Sequence, residues 1–303
     1  MNNHLPSNND ASLTTWPCPA KLNLSLKIVG QRDNGYHNLQ SVFQLLDYGD
    51  KLNIEVTRNG QINFTCSAPE LSGTDNLVIR AAKKLREFAI NQLDNQSGKQ
   101  FAEKNWGAFI HLDKVLPVGG GVGGGSSNCA TTLVALNQLW QLELPLKTLA
   151  DIGLSLGADV PIFVMGNSAF VEGIGEILTP FELPKTWYLV VQPGCHISTA
   201  KIFSNPLLTR NSKAITIRDL NALELPFQGT NCMQDIVCDD YPEVRKALEW
   251  LKQFNSYARM TGSGSCLFAP FDNEQEMRKI ASRCEWPCFE ASGVNISPLH
   301  AGM

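Results

Sequence analysis

Between Leu22 and Ile28 the apolar residues Leu22, Leu24, Leu26 and Ile28 alternate with Asn23, Ser25 and Lys27, the period of a half-buried strand. The stretch 30–37, with Asp33-Asn34-Gly35 inside it, predicts a turn. Alternation returns at Leu52, Ile54 and Val56 and again at Ile62, Phe64 and Cys66, and the intervening Arg58-Asn59-Gly60 predicts that these two strands pair as a hairpin. Leu77, Ala81, Leu85, Phe88 and Ala89 keep the three-four spacing of a helix, with Asp75 as its expected cap and a polar linker after it. Alternation over 109–112 leads to a cluster of glycines from Gly119 to Gly125, and the pattern then turns helical through Trp140. Beyond it the pattern predicts a short helix over 149–156, strands at 169–171 and 188–191, an amphipathic helix over 244–254 and a second glycine loop, Thr261-Gly262-Ser263-Gly264-Ser265. Strands mixed with helices, opening on antiparallel strands, predict an α+β fold in two lobes. Pro180 and Pro184 place the boundary, giving a tail over 1–14, an N-terminal domain over 15–180 and a C-terminal domain over 181–303.

Composition narrows the function classes. Of 303 residues 43% are hydrophobic and 18% charged, which suits a compact body. Twenty-five Lys and Arg against 29 Asp and Glu leave a net charge of -4, with no positive excess for a nucleic acid. No apolar run approaches the ~20 residues that span a bilayer. The Asn- and Ser-rich start lacks the basic and apolar regions of a secretory signal, so a cytoplasmic protein is expected. Nine cysteines, an odd number without paired CxxC units, read as reduced and mostly buried thiols, and Pro287 argues against a helix face shared by Cys284 and Cys288.

The candidate chemistry centres on Gly119-Gly120-Gly121-Val122-Gly123-Gly124-Gly125-Ser126-Ser127-Asn128. Glycines let successive N–H groups turn inward, and the following helix adds unpaired N–H groups and the positive end of its dipole, so the segment reads as a phosphate cradle. Gly119, Gly121 and Gly124 also satisfy a dinucleotide fingerprint, with Glu143 near where a ribose-binding acid falls. Hairpin-like strands before the loop speak against that fold. The Walker pattern fails because Gly125 stands where its lysine belongs, and the HRD and DFG triplets of protein kinases are missing.

Three segments, Pro19-Ala20-Lys21-Leu22-Asn23, the glycine loop, and Thr261-Gly262-Ser263-Gly264-Ser265-Cys266, together resemble the GHMP kinases, which phosphorylate small metabolites. Within that family, Gly30-Gln31-Arg32-Asp33-Asn34-Gly35-Tyr36-His37, Phe43-Gln44-Leu45-Leu46-Asp47 and Gly157-Ala158-Asp159-Val160-Pro161 are similar to the branch acting on a diphosphocytidyl-linked methylerythritol. Cys129 for a common alanine and Val122 for a usual leucine are small departures. The resemblance implies a two-lobed GHMP kinase fold, an N-terminal nucleotide-binding lobe and a C-terminal substrate lobe. It also implies ATP as co-substrate with Mg²⁺, a small-molecule substrate, and neither nucleic acid nor membrane as partner, and it leaves a homodimer open.

Asp159, between Gly157 and Pro161, reads by position as a turn aspartate whose carboxylate is not consumed by capping; the resemblance implies that it accepts the substrate hydroxyl proton. Lys21 reads as a solvated strand lysine, and the resemblance puts it at the reacting hydroxyl, with Asn23 on the erythritol portion. Tyr36 and His37 read as covering a strand end. The resemblance instead closes them over a cytosine, with Phe203 stacked on its other face, His37 on the base edge, and Ile174 and Thr199 completing the pocket. For adenine it implies Asn76, Leu77, Lys114 and Val118, and for the phosphates Gly119, Gly120, Gly121, Gly123, Gly124, Gly125, Ser126, Ser127 and Asn128. At Gly123 a side chain is expected to collide with phosphate. No metal ligand is assigned from protein side chains, and His4, His111, His196 and His300 read as structural or exposed, without acid partners at useful spacing.

Overall fold

The computed structural model describes residues 13–33, 35–91, 95–221, 226 and 228–301. Two long antiparallel strands, β1 (Thr14–Gln31) and β2 (His37–Thr57), open the fold around the expected turn. Most of the expected tail lies outside the described residues, and Thr14 already belongs to β1. Every residue from 18 to 26 in β1 is buried, so this strand is covered on both faces rather than half-exposed. Its apolar row enters the core, and the row of Lys21, Asn23 and Ser25 is buried as well.

After β2 come β3 (Ile62–Cys66), α1 (Leu77–Asn91), α2 (Asn95–Glu103) and β4 (Gly107–Asp113). The expected hairpin of β2 with β3 does not form, because β4 lies between them, antiparallel to β2 and parallel to β3. The reason is apolar matching: Leu52 faces Leu112, Ile54 faces Ile110 and Val56 faces Ala108, a row that lies almost wholly in the core. Only one side of β3 is even half-buried, which suits an edge. The bend before it is tied to the approach of β4 through Gly60 N–H donating to Asn105 O at 2.9 Å. Asp75 is not the cap of α1 either; Asn76 is, its Oδ1 accepting from Val78 N at 2.9 Å, while Asp75 is almost fully exposed. The expected linker contains α2, and its first three positions, 92–94, lie outside the described residues.

The glycine loop then runs into α3 (Gly124–Leu139), followed by α4 (Leu146–Leu154), α5 (Val160–Met165), β5 (Ala169–Gly173) and β6 (Ile177–Pro180). Helix α3 is buried on nearly every side from Ser127 to Leu136, as an apolar helix must be when strands and other helices surround it. The second half comprises β7 (Trp187–Val191), α6 (Thr199–Ser204), α7 (Ile217–Asn221), α8 (Gln234–Asp240), α9 (Pro242–Lys252), β8 (Arg259–Met260), β9 (Leu267–Phe271), α10 (Glu274–Ala281) and β10 (Cys288–Val294). The sheet order is β3-β4-β2-β10-β7-β9-β8, with β1 and β5 also on β2 and β6 on β5. One core lies under α1, α3, α4 and α5 and another under α8, α9 and α10. A third joins the halves through Leu22, Leu24, Val122, Tyr188, Val190 and Phe268. The cysteines are all free thiols; Cys18, Cys129, Cys238 and Cys266 are buried and the other five half-buried, Cys284 and Cys288 among them. Among the described residues no helix is long and apolar enough to cross a membrane.

Candidate active site

The glycine loop connects β4 to α3 with its carbonyls turned into the protein. Val122 O accepts from Lys21 N at 3.0 Å, Gly120 O from Cys266 N at 3.1 Å, and Gly121 O from Lys21 Nζ at 3.2 Å. The loop is thereby sewn to β1 on one side and to the second glycine loop on the other. Gly119, Gly121 and Gly123 hold positive φ of 69°, 77° and 75°, which curls the backbone so that its N–H groups are not spent on a ladder. The first bond of α3 is Ser127 N–H to Gly123 O at 2.8 Å, so the N–H groups of Gly124, Gly125 and Ser126 precede the helical ladder. This is an anion cradle at the start of a 16-residue helix. Gly123 itself is required for another reason than expected: a Cβ there would come within 2.7 Å of the Phe163 ring and 3.1 Å of Lys21 Cγ, protein atoms rather than a ligand's place.

Lys21 is buried, and bulges in the β1–β2 register flank it and Asn23. Its ammonium lies 2.5 Å from Asn23 Oδ1 and 3.4 Å from Asp159 Oδ2, above the Phe43 ring. Asn23 is fixed in turn by Nδ2 donating to Ser41 Oγ at 2.9 Å, and by its backbone N–H donating to Thr261 Oγ1 at 2.9 Å. Asp159 is the N-cap residue of α5 but makes no side-chain cap bond, so its carboxylate, 35% exposed, keeps its lone pairs. A half-exposed carboxylate beside a buried ammonium can take a proton from a bound hydroxyl while the cation stabilises the oxygen.

Asp50 escaped the sequence reading. It is fully buried and saturated: Lys114 Nζ donates to Oδ2 at 2.5 Å, Asn128 Nδ2 to Oδ2 at 3.0 Å, and Val115 N and Leu116 N to Oδ1 at 2.8 Å. The only signal in the sequence is a charge placed amid the strand residues Leu46 to Leu52. Asp47, in the quoted phrase, ties strands together by accepting from Ser292 N at 2.7 Å.

Most of the sequence-derived residues line one cavity of about 730 Å³: Lys21, Asn23 and Asp159, the six loop glycines with Ser126 and Asn128, Asn76, Leu77, Lys114 and Val118, and Ile174, Thr199 and Phe203. Tyr36, His37 and Ser127 do not line it. His37 reaches its rim by stacking on Phe203, the ring centroids 5.0 Å apart, too close for a base to slip between them. Tyr36 is exposed on the turn, and Ser127 is fully buried in α3. Burial, with the nearby Arg210 charge, holds the His37 imidazole below its ordinary pKa. Thr199 Oγ1 lies 2.7 Å from Ser263 Oγ, joining α6 to the second glycine loop. One histidine departs from expectation: His111 does have an acid partner, Asp113 Oδ1 at 3.2 Å, because β4 places residues two apart on one face, while His196, exposed as expected, also lines the cavity beside Gly119. His300 packs on Gly166 after α5, as a structural residue should, and His4 lies outside the described residues.

Beyond α3 the chain passes through α4 and α5 to β5, which is antiparallel to β2, so no parallel βαβ unit follows the loop. Glu143 is exposed past the far end of α3. The dinucleotide reading therefore fails on topology.

Residues 76–167 match the profile of the GHMP kinases N terminal domain and residues 220–286 that of the GHMP kinases C terminal domain. Over 287 residues, 94% of this chain and 89% of the other, the sequence is 49% identical to a 4-diphosphocytidyl-2-C-methyl-D-erythritol kinase of Mannheimia succiniciproducens. The fold matches a crystal structure of 4-(cytidine 5'-diphospho)-2C-methyl-D-erythritol kinase with a TM-score of 0.77 at 27% identity, covering 92% of this chain and 99% of that one. A homoserine kinase from Cytophaga hutchinsonii shares the fold alone, with a TM-score of 0.60 at 15% identity over 97% of this chain and 98% of its own. Two profiles that flank the same cavity, and near-half identity along almost the whole sequence, make this chain a member of the GHMP kinase family.

Proposed function

We propose that the chain transfers the γ-phosphoryl of ATP to the 2-hydroxyl of 4-diphosphocytidyl-2-C-methyl-D-erythritol, giving the 2-phosphate and ADP, a step of the non-mevalonate route to isoprenoid precursors. The observation that carries this reading is the Lys21–Asp159 pair opening into the same cavity as the glycine loop. ATP lays its phosphates on the N–H groups of the loop and of Gly124, Gly125 and Ser126, with adenine near Asn76, Leu77, Lys114 and Val118. Asp159 takes the proton of the acceptor hydroxyl, Lys21 holds the developing alkoxide, that oxygen bonds to the γ-phosphorus, and ADP leaves. The acceptor is a tertiary alcohol, weakly acidic and crowded, so a base fixed against it matters more than for a primary one.

When bound, Mg²⁺ neutralises charge between the β- and γ-phosphates. Such an ion would be held mainly by phosphate oxygens and water, since among the described residues no group of three or more His, Cys, Asp or Glu could hold a metal ion. The carboxylate of Asp159 and the hydroxyl of Ser126, both on the cavity wall, would be the side-chain oxygens offered to it, whereas Ser127 Oγ is buried in α3 away from that wall.

Asn23 would hold the erythritol portion, and Tyr36, His37, Phe203, Ile174 and Thr199 the diphosphocytidyl portion. In this reading residues 15–180 form the nucleotide lobe and 181–303 the substrate lobe, and the enzyme is cytoplasmic with no nucleic-acid partner. The test is ADP release with ATP, Mg²⁺ and one acceptor at a time: the cytidine substrate, its uridine form, mevalonate and homoserine. Cytosine and uracil differ in the donor and acceptor at their edge, so kcat/KM for the cytidine form should exceed that for the uridine form by at least about two decades. Equal turnover of the two, or of mevalonate, would overturn the assignment.

A further inference from the structure

Arg210 belongs to none of the roles above, yet its guanidinium is held from several sides. Nη2 donates to Phe203 O at 2.7 Å and Asn205 O at 2.9 Å, and Nη1 to Leu208 O at 3.0 Å, all at the C-terminal end of α6 and just beyond. The remaining contact is with an imidazole: Arg210 Nε lies 3.2 Å from His37 Nε2. Among the described residues no carboxylate pairs with this arginine, so an ion pair does not explain its place.

A guanidinium has only donors and stays protonated, so Nε2 of His37 must offer its lone pair. The imidazole is then neutral with its proton on Nδ1. Protonating Nε2 would set N–H against N–H and cation against cation. The same guanidinium holds the carbonyl of Phe203, whose ring stacks on His37, so one side chain fixes both the orientation and the tautomer of this wall. Around it, the partner of His37 across β1 is the neutral Gln31, Tyr36 precedes it in the chain, and on the adjoining turn Arg32 is taken up by Asn38 and Glu176, leaving Asp33 as the remaining charged residue there.

We propose that Arg210 is a positioning residue that locks His37 as a neutral Nδ1–H donor, and that this fixed donor is what lets the pocket accept the ring-nitrogen acceptor of cytosine and refuse the N–H of uracil. This rests on the pyrimidine-binding reading given above. Cytosine N3 takes the donated hydrogen bond; uracil would face it with a second donor, leaving both unsatisfied.

Ring-nitrogen NMR of the full chain labelled with ¹⁵N-histidine tests the lock directly, with His37→Gln used to assign the signals. His37 should carry its proton on Nδ1 at neutral pH and titrate below the ordinary histidine range, and cytidine 5'-diphosphate should shift its signals. In Arg210→Met the tautomers should mix and the titration move up. KM for the cytidine substrate should rise about tenfold while kcat changes less than about threefold, and the cytidine-to-uridine preference should shrink by a similar factor. Arg210→Lys keeps a charge without the fork and should not restore the tautomer. A wild-type His37 protonated on Nε2, or an Arg210→Met enzyme with unchanged tautomer and preference, overturns the proposal. The expected tautomer without any response to cytidine 5'-diphosphate overturns the base-reading role while leaving the Arg210–His37 lock standing, which separates failure of the pyrimidine reading from failure of the lock.

Discussion

Two lysine–aspartate pairs flank the glycine loop, and they are built in opposite ways. Lys114 and Asp50 are 2.5 Å apart, and three further N–H donors reach the Asp50 carboxylate. Lys21 and Asp159 are 3.4 Å apart, with the lysine buried and the carboxylate facing open cavity. In the first pair every lone pair of the acid is used, so the charge is consumed in holding the segment after β4 against the start of α3. In the second the acid is left unsaturated, so its charge remains available to a ligand. The same residue types thus serve as scaffold or as chemistry according to how many donors the fold aims at the carboxylate.

Removing the charge from the open pair should have the largest effect: Asp159→Asn is expected to lower kcat by about two to four decades with ATP binding nearly intact, read by ADP release and by ATP titration. Near-normal turnover would mean that another group takes the proton. Breaking the closed pair should act on stability instead. Asp50→Ala leaves Lys114 buried without its partner and should cost about 3–5 kcal/mol in denaturant unfolding. A variant as stable as the parent would show that the four bonds to Asp50 are not what orders this corner.

Between the pairs, the loop glycines separate packing from ligand approach. Gly123→Ala meets Phe163 and a positive φ, and should lose more than about 1 kcal/mol of stability. At Gly125 a Cβ would meet only Leu77 Cδ1, at 3.5 Å, so Gly125→Ala should fold as well as the parent and raise KM for ATP. If that KM did not move, the N–H groups at the start of α3 would not be the phosphate contact.

The smallest expected effect concerns pH, and it touches the far end of the helix that Asp159 begins. Burial holds His300 below the ordinary histidine value of 6.5, against the opposing influence of the nearby backbone at Phe163 and Val164 in α5. The unfolded chain therefore takes up this proton first as pH falls past 6.5, and stability should decline below that pH and level off once the folded histidine is protonated too. His300→Gln should flatten this part of the profile in thermal melts. An unchanged slope would assign it to other groups, His37 being the first to test, since it is depressed in the same direction.

The glycine cluster, the helix after it and the strand holding Lys21 were legible in the sequence because each depends on local rules: glycine conformations, helical spacing and two-residue alternation. Three readings failed where the deciding partner was distant. The β2–β3 hairpin was plausible locally, but β4, more than forty residues beyond the middle of β2, matched its apolar row better. Asp75 looked like the cap, and its neighbour Asn76 took the role because its amide could also donate to Leu71 O at 2.9 Å. His111 gains an acid partner only because the strand puts Asp113 on its own face.

By itself the sequence determined that a glycine-rich loop opens an apolar helix, that an acid stands on a short turn between Gly157 and Pro161, and that the chain carries the motifs of its family. Local backbone preferences and residue chemistry suffice for that much. Only the tertiary structure decided which charges are free. Lys21 meets Asp159 across 138 positions of chain and Arg210 meets His37 across 173, and whether a carboxylate or an imidazole is saturated depends on donors that the sheet and the loops bring from those distances.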